Sequence, residues 1–515
     1  MLKFCFIMVA SSEDLLPNGS PWQRKLPKCP WRSKVAFILV GLVLVGIIIT
    51  VVAFSREPQF TPAPVPVYGL NVNFAGWLAL EDWMLSGSFA KLGRQPSKEN
   101  GLGACLPPMI QGPLDKPWPS EGILVQRMLE SHGEKYTIEA FEQFRQKFIT
   151  SEDLDDAVSV GVQAVRVPFM WTAFADALTR IDESAYGKFD PELETAVVPD
   201  PFYYQNASYV TIPRRMMAEF LRNCSVRGLK VVLDLHAMPS GAAWGSYNGI
   251  LPLKEVFWWE RSRIGNTSVA LKDAGLWIVD KFIRWVEGLD ATARAAVAGI
   301  SLMNEPGNGL ASSLDSNDLF EWLAKAADAF RKSYLPSRGV KLYMSLIQTA
   351  ANNFFEIIQS WWESTFSETE RNQWAVADTH NYLAWRSDCK GHEDGNIDEG
   401  GYACDWPIED ISYKIENCFS PYLKELSGYY QGLRSSGEFS LSTNYKIWNA
   451  CKSRKILATM MSQQADLFQT YGFEPFFWSW KMPYAPDYEP AWSYQQFVGL
   501  AKTPTFECHP PRNPD

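Results

Sequence analysis

Residues 274–306 read AGLWIVDKFIRWVEGLDATARAAVAGISLMNEP, and this stretch holds one complete unit of the fold. Over 274–289 apolar residues recur at spacings of three and four, the period of a helix with one buried face. A short apolar run follows at 298–303, long enough for a buried strand, and it ends on Asn304 and Glu305. Comparable β-rich runs occur at 70–73, 164–168, 230–234, 341–346, 374–377 and 476–480, with helical patterns between several of them. Strand and helix in alternation argue for a parallel sheet covered by helices. Eight such units predict a closed (β/α)8 barrel, a TIM barrel of the α/β class. No internal repeat and no linker-like composition interrupts the chain after residue 67.

Working outward, the chain has 515 residues, 46% of them hydrophobic, 21 tryptophans and a net charge of −10. At roughly 150 residues per domain the length allows three domains, but one barrel with insertions also fills it. The apolar share excludes a disordered chain, and the acidic balance argues against a nucleic-acid partner. Residues 35–54 (VAFILVGLVLVGIIITVVAF) contain no charge. At about 1.5 Å per residue they cross a hydrocarbon core of about 30 Å, so a transmembrane helix precedes the barrel. The run exceeds the roughly 7–15 apolar residues of a cleaved signal peptide, which favours an uncleaved signal anchor. Arg24, Lys25, Lys28, Arg32 and Lys34 precede it, placing the N-terminus in the cytoplasm and the rest outside, a single-pass type II arrangement. The expected organisation is a cytoplasmic tail over 1–34, a span over 35–54, a proline-rich spacer over 55–67 and a catalytic domain over 68–515, acting as a monomer. Six basic and two acidic side chains give residues 1–34 a net +4, which leaves −14 for the remainder.

The external part carries Cys105, Cys224, Cys389, Cys404, Cys418, Cys451 and Cys508, in a compartment where disulfides persist. It also carries the sequons Asn206, Asn223 and Asn266, expected to be glycosylated. No cysteine pair has metal-ligand spacing and the chain has five histidines, so neither a metal nor another cofactor is expected. The acidic stretch 386–406 (RSDCKGHEDGNIDEGGYACDW) reads as a loop pinned by Cys389 and Cys404. Its alternating Asp394, Asn396 and Asp398 lack the glycine of a calcium loop.

In a parallel barrel the polar residues just beyond each strand form the active site. Here they are Arg166 in AVRVP, His236 ending KVVLDLH, Asn304 and Glu305 ending GISLMNEP, His380 and Tyr382 in WAVADTHNY, and Trp478 and Trp480 ending FFWSW. Glu438 in SSGEFS adds a second carboxylate. Two glutamates at a barrel mouth suit the cleavage of glycosidic bonds, which takes one acid/base and one nucleophile or second base. Glu425 and Glu474 compete with Glu438 for that place, because the run before Glu438 is polar and reads as a short or irregular strand.

Seven ordered segments carry a resemblance: GLNVNFAGWLALEDW (69–83), VRVPFMW (165–171), DLHAMPSGAAWGSYNG (234–249), GISLMNEP (299–306), DTHNY (378–382), GEFS (437–440) and FFWSWKMPYAPDYEPAWSYQQFVGL (476–500). Together they resemble family 5 of the retaining glycoside hydrolases, and within it the fungal-type exo-β-1,3-glucanases, glucan 1,3-β-glucosidases. The resemblance implies Glu305 as acid/base after the fourth strand and Glu438 as nucleophile after the seventh. It further implies that Asn304 bonds the sugar 2-OH, that Arg166 and Tyr382 hydrogen-bond Glu438, and that His236 and His380 line the sugar subsite. Glu81 and Asn248 would bind hydroxyls at its closed end, and Trp480 is preferred to Trp478 as its floor. Cys418 would pair with Cys508. The implied activity is double-displacement hydrolysis of β-1,3-glucan with release of glucose. The alternatives are a catalytically weak glucan-binding protein of the cell surface, or the same chemistry on β-1,4-glucan or a glycosphingolipid.

Overall fold

The computed structural model describes residues 69–85, 106–107, 110, 118–202, 207–251, 257–258, 264, 267–307, 316–346, 354–383, 407–442, 453–482 and 489–500. The chain divides into Met1–Ala63 and Pro64–Asp515, and every described residue belongs to the second unit. The tail, the span at 35–54, the spacer, the 386–406 loop, Asn206, Asn266 and Cys508 lie outside the described residues. Among those described, no helix is long and apolar enough to cross a membrane.

Among the described residues ten strands form in chain order: β1 Asn71–Asn73, β2 Ala164–Met170, β3 Val197–Pro199, β4 Ser208–Val210, β5 Lys230–Ala237, β6 Val297–Ser301, β7 Lys341–Ser345, β8 Ala375–His380, β9 Leu433–Phe439 and β10 Phe473–Phe477. Eight of them close a barrel in the order β1-β10-β9-β8-β7-β6-β5-β2, and every pairing in it is parallel. Helices such as Leu271–Gly288 after β5 and Ser316–Lys332 after β6 connect successive strands on the outside. This is the (β/α)8 barrel expected from the strand–helix alternation. β3 and β4 form a separate antiparallel hairpin that the sequence pattern did not announce.

Side chains alternate along a strand, so residues two apart share the barrel interior. At the bottom, Ala164, Val232, Tyr343, Val376 and Phe476 make a small apolar plug distinct from the main core between barrel and helices. Gly299 is required there, because a Cβ would stand 2.4 Å from the Tyr343 ring and 2.9 Å from the Lys341 carbonyl oxygen. One step higher the same strands present Arg166, Asp234 and Asp378, all fully buried. One step higher again stand His236 and His380. β5 and β8 thus run from apolar floor to charged middle to the cavity rim.

β9 is irregular and polar, as its sequence predicts, but it is not short: seven residues run from Leu433 to Phe439, with Ser435 and Ser436 fully buried. Its hydroxyls replace packing with hydrogen bonds, Ser435 Oγ donating to the Glu474 carbonyl at 3.0 Å and Ser436 Oγ accepting from Asn381 Nδ2 at 2.9 Å. The irregularity is a register shift opposite Thr379 and His380, which pair with Ser436 and Glu438 and leave Gly437 unmatched.

Candidate active site

A cavity of about 400 Å³ opens at the C-terminal ends of the barrel strands. It is lined by Glu81, Trp83, His236, Tyr247, Asn304, Glu305, Ser345, Leu346, His380, Tyr382, Glu438, Trp478 and Trp492. Glu438 reaches it because the bulge at Gly437 re-aims the end of β9. The Gly437 N–H donates to Asp378 Oδ1 at 2.7 Å, and a Cβ on that residue would meet Asp378 Oδ2 at 2.4 Å. Glu305 stands four residues beyond β6 at φ +39°, a left-handed conformation that is costly for a side-chain-bearing residue and recurs at functional sites. Its N–H donates to Ser345 Oγ at 3.1 Å, which ties this turn to the end of β7.

Beneath the cavity, Arg166 acts as a hub. Nη1 donates to Glu438 Oε1 at 2.9 Å and to Asn73 Oδ1 at 3.0 Å, while Nη2 donates to Asn304 Oδ1 at 2.6 Å and faces Asp234 Oδ2 at 3.1 Å. Burial opposes its charge, but Asp234, Glu438 and Asp378 more than offset this and raise its proton affinity, so it stays a fixed cation. Burial likewise favours protonation of Asp234, yet Arg166 and a 2.7 Å hydrogen bond from His236 Nδ1 hold its carboxyl below the ordinary range. The second Glu438 oxygen accepts from Tyr382 O–H at 2.7 Å.

His380 joins the two carboxylates. Its Nδ1 lies 2.6 Å from Glu305 Oε1 and 3.3 Å from Glu438 Oε2. Burial alone would lower its pKa, but Glu438 and Glu305 raise it to about 9, so the two neighbouring carboxyl groups favour the doubly protonated ring. Glu305, His380 and Glu438 each offer an atom within 4.8 Å of the others. A metal ion there would need the neutral imidazole, which this electrostatic setting disfavours. Glu81 is the third carboxyl in the cavity, its proton affinity raised chiefly by burial and then by Glu438. Its Oε2 accepts from Trp83 Nε1 at 2.6 Å, and its Oε1 lies 3.8 Å from His236 Nε2.

Aromatic rings wall the rest. Trp478 stacks on His236 with centroids 5.7 Å apart and planes 18° from parallel. Trp83 meets Trp492 edge-on at 5.1 Å, and Trp492 lies 5.7 Å from Tyr382. Two sequence expectations need correcting. Trp480 is fully buried outside the cavity, against Phe74 and Tyr494, with Nε1 donating to Asp153 Oδ1 at 3.0 Å. Strand alternation placed the two tryptophans on one face, but β10 ends at Phe477, so the rule does not extend to them. Asn248 does not line the cavity either; its Oδ1 accepts from Ala242 N at 3.2 Å and its Nδ2 donates to Gly245 O at 3.4 Å, holding its own loop together. Arg166 lies below the cavity and acts through Glu438 and Asn304. Glu81, His236, Asn304, Glu305, His380, Tyr382 and Glu438 are brought together as expected.

The competitors of Glu438 fall elsewhere. Glu474 sits near the start of β10, accepting from Tyr343 O–H at 2.7 Å, and Glu425 accepts from Tyr429 O–H on the helix Ser420–Tyr429. Trp83, Tyr247, Ser345, Leu346 and Trp492 were not singled out from the sequence. Ser345 and Leu346 had a usable signal, since they end an apolar run, whereas Trp83, Tyr247 and Trp492 come from helical turns of three or four residues, too short to show a period.

No protein-family model matches the chain. It is 22% identical over 416 residues to the glucan 1,3-beta-glucosidase of Lachancea kluyveri, a match covering 78% of this chain and 77% of that protein. It is 23% identical over 461 residues to the probable glucan 1,3-beta-glucosidase D of Neosartorya fischeri, covering 81% of this chain and 48% of the relative, so it spans about half that protein's length. Among solved structures it is similar in fold to AoRut, with a TM-score of 0.50 and 14% identity over 83% of this chain and 94% of that one.

Proposed function

We propose that the protein is a retaining β-glycoside hydrolase acting on β-1,3-linked glucan and releasing glucose from chain ends. One observation carries the chemistry: Glu305 and Glu438 face each other across one cavity with carboxylate oxygens within 4.8 Å. Retaining glycosidases hold their carboxyl groups about 5–5.5 Å apart, whereas inverting ones leave roughly 6.5–9.5 Å for a water. The substrate class is supported by the names of the relatives, and the release of single glucose units by those names together with the motif resemblance.

Glu438, fixed by Arg166 and Tyr382, attacks the anomeric carbon as Glu305 protonates the departing oxygen, so the glycosidic bond breaks as the glycosyl-enzyme ester forms. Water then attacks the anomeric carbon, gives a proton to Glu305 and frees Glu438. Asn304, its Oδ1 held by Arg166, offers its amide N–H to the sugar 2-OH. Trp478 offers an apolar face to the sugar C–H groups. The test is proton NMR of laminaritriose hydrolysis at early times. β-Glucose appearing first is expected, and α-glucose first overturns retention. Glu438→Gln and Glu305→Gln should each lower kcat by about 10³-fold or more.

Residues 35–54 anchor the chain with the barrel outside the cytoplasm, a reading supported by their uninterrupted apolar run and basic flank. Protease added to intact cells should remove the barrel, and complete protection would overturn this topology.

A further inference from the structure

Glu121 opens the helix Glu121–Phe148 and is 1% exposed, a carboxyl group in the core that the mechanism above does not use. Its surroundings do little to hold a charge. Oε2 accepts from Leu80 N at 2.8 Å, while Oε1 is buried with no hydrogen-bond partner. Arg145, on the same helix, gives its two Nη groups to the carbonyls of Val210 and Thr211 instead. A buried carboxyl group with one hydrogen bond costs stability that an apolar side chain of the same size would not. Packing therefore does not account for it.

Its one bond leads to the cavity. Leu80 immediately precedes Glu81, whose carboxyl lines the cavity beside Trp83. This segment is fastened upstream where Met170 N, at the end of β2, donates to Leu78 O at 3.2 Å, and downstream where Met84 N closes a turn onto Glu81 O at 3.1 Å. Between those points Leu80 N–H is the backbone donor next to Glu81, and Glu121 is its acceptor. The helix end that carries Glu121 is itself fixed. Gly122 N donates to Gly249 O at 2.9 Å, Tyr209 O–H donates to the same oxygen at 3.1 Å, and a Cβ on Gly122 would stand 2.9 Å from the Tyr209 ring. We propose that Glu121 is a positioning residue for Glu81: by holding Leu80 N–H from a fixed helix end, it keeps the Glu81 carboxyl aimed at the hydroxyls of the bound sugar. This inference rests on the glycosidase reading above.

A double-mutant cycle on laminaritriose hydrolysis by the full chain tests it, with folding followed by circular dichroism. Glu121→Met keeps the volume and removes the acceptor; Glu121→Ala removes it with a smaller side chain, and whichever variant folds carries the cycle. Either change should lower kcat/KM about tenfold when Glu81 is present, but less than about twofold in a Glu81→Ala background, where the group being aimed is already gone. Glu121→Gln, which keeps an oxygen for Leu80 N–H, should recover most of the loss. Unchanged kinetics in Glu121→Met, an equal fall in both backgrounds, or a Glu121→Gln variant as poor as Glu121→Met would each overturn the positioning role and leave the glycosidase standing. A wild-type protein that does not cleave laminaritriose would instead remove the glycosidase reading and this inference with it.

Discussion

Arg166 spends both guanidinium ends on acceptors that themselves need fixing, Glu438 with Asn73 at one end and Asn304 with Asp234 at the other. A lysine keeps the charge but cannot span both sets. Arg166→Lys should therefore lower kcat by about a hundredfold or more while the protein stays folded, measured by kinetics beside circular dichroism. His380 sets a pH limit. Its folded pKa of about 9 exceeds the ordinary 6.5, so the stability it contributes is complete below about 6.5 and is lost as pH rises through about 9. Activity should decline over the same alkaline limb, and His380→Gln should abolish that limb in a kcat/KM–pH profile. At this scale much of the site was legible, because Glu305, His236 and His380 follow apolar runs in order. The choice between Trp478 and Trp480 was not, since it depends on where β10 stops and on the partner that Asp153 offers to one indole.

The bulge in β9 does at the level of an element what Arg166 does at the level of a residue. Gly437→Ala puts a methyl group into Asp378, so a loss of about 1–3 kcal/mol in stability and a disproportionate fall in kcat are expected from unfolding curves and kinetics. The helix Glu121–Phe148 offers a second test. Burial raises the pKa of Glu121 from 4.5 to about 7, outweighing Arg145 and the hydrogen bond from Leu80 N. Folding then retains a proton that the unfolded chain releases, so stability falls as pH rises from about 4.5 to about 7 and stays reduced above. Glu121→Gln should raise the Tm at pH 8 and leave it unchanged near pH 4. Asp153 shows how an outer helix reaches the site. It closes the capping box of Ser151–Ser159 with Thr150 and also holds Trp480 Nε1 and Lys481 Nζ, just after Trp478. β9 was the least legible strand because period and apolarity, the cues for a strand, vanish when inward positions are serine and glycine.

For the whole molecule, the barrel separates support from function along its axis. Phe476 belongs to the apolar plug at the bottom, two residues before Trp478 of the cavity wall. Phe476→Ala should cost about 3–5 kcal/mol of stability, read from the denaturation midpoint, while kcat at temperatures where the variant stays folded changes little. The barrel architecture was legible in the alternation of patterns, but the β3–β4 hairpin was not, since strands of three residues carry too little pattern.

The closing seam between β1 and β10 also has a kinetic meaning. Asn73 Nδ2 donates to Gly437 O and to Phe476 O, partners 364 and 403 residues away, and Asn73 Oδ1 holds the arginine that holds Glu438. Contacts of such long sequence separation form late, because loop-closure entropy must first be overcome. A refolding chain should therefore regain its helical circular dichroism well before it regains turnover, passing through an open, horseshoe-like sheet in which Glu438 has no fixed aim.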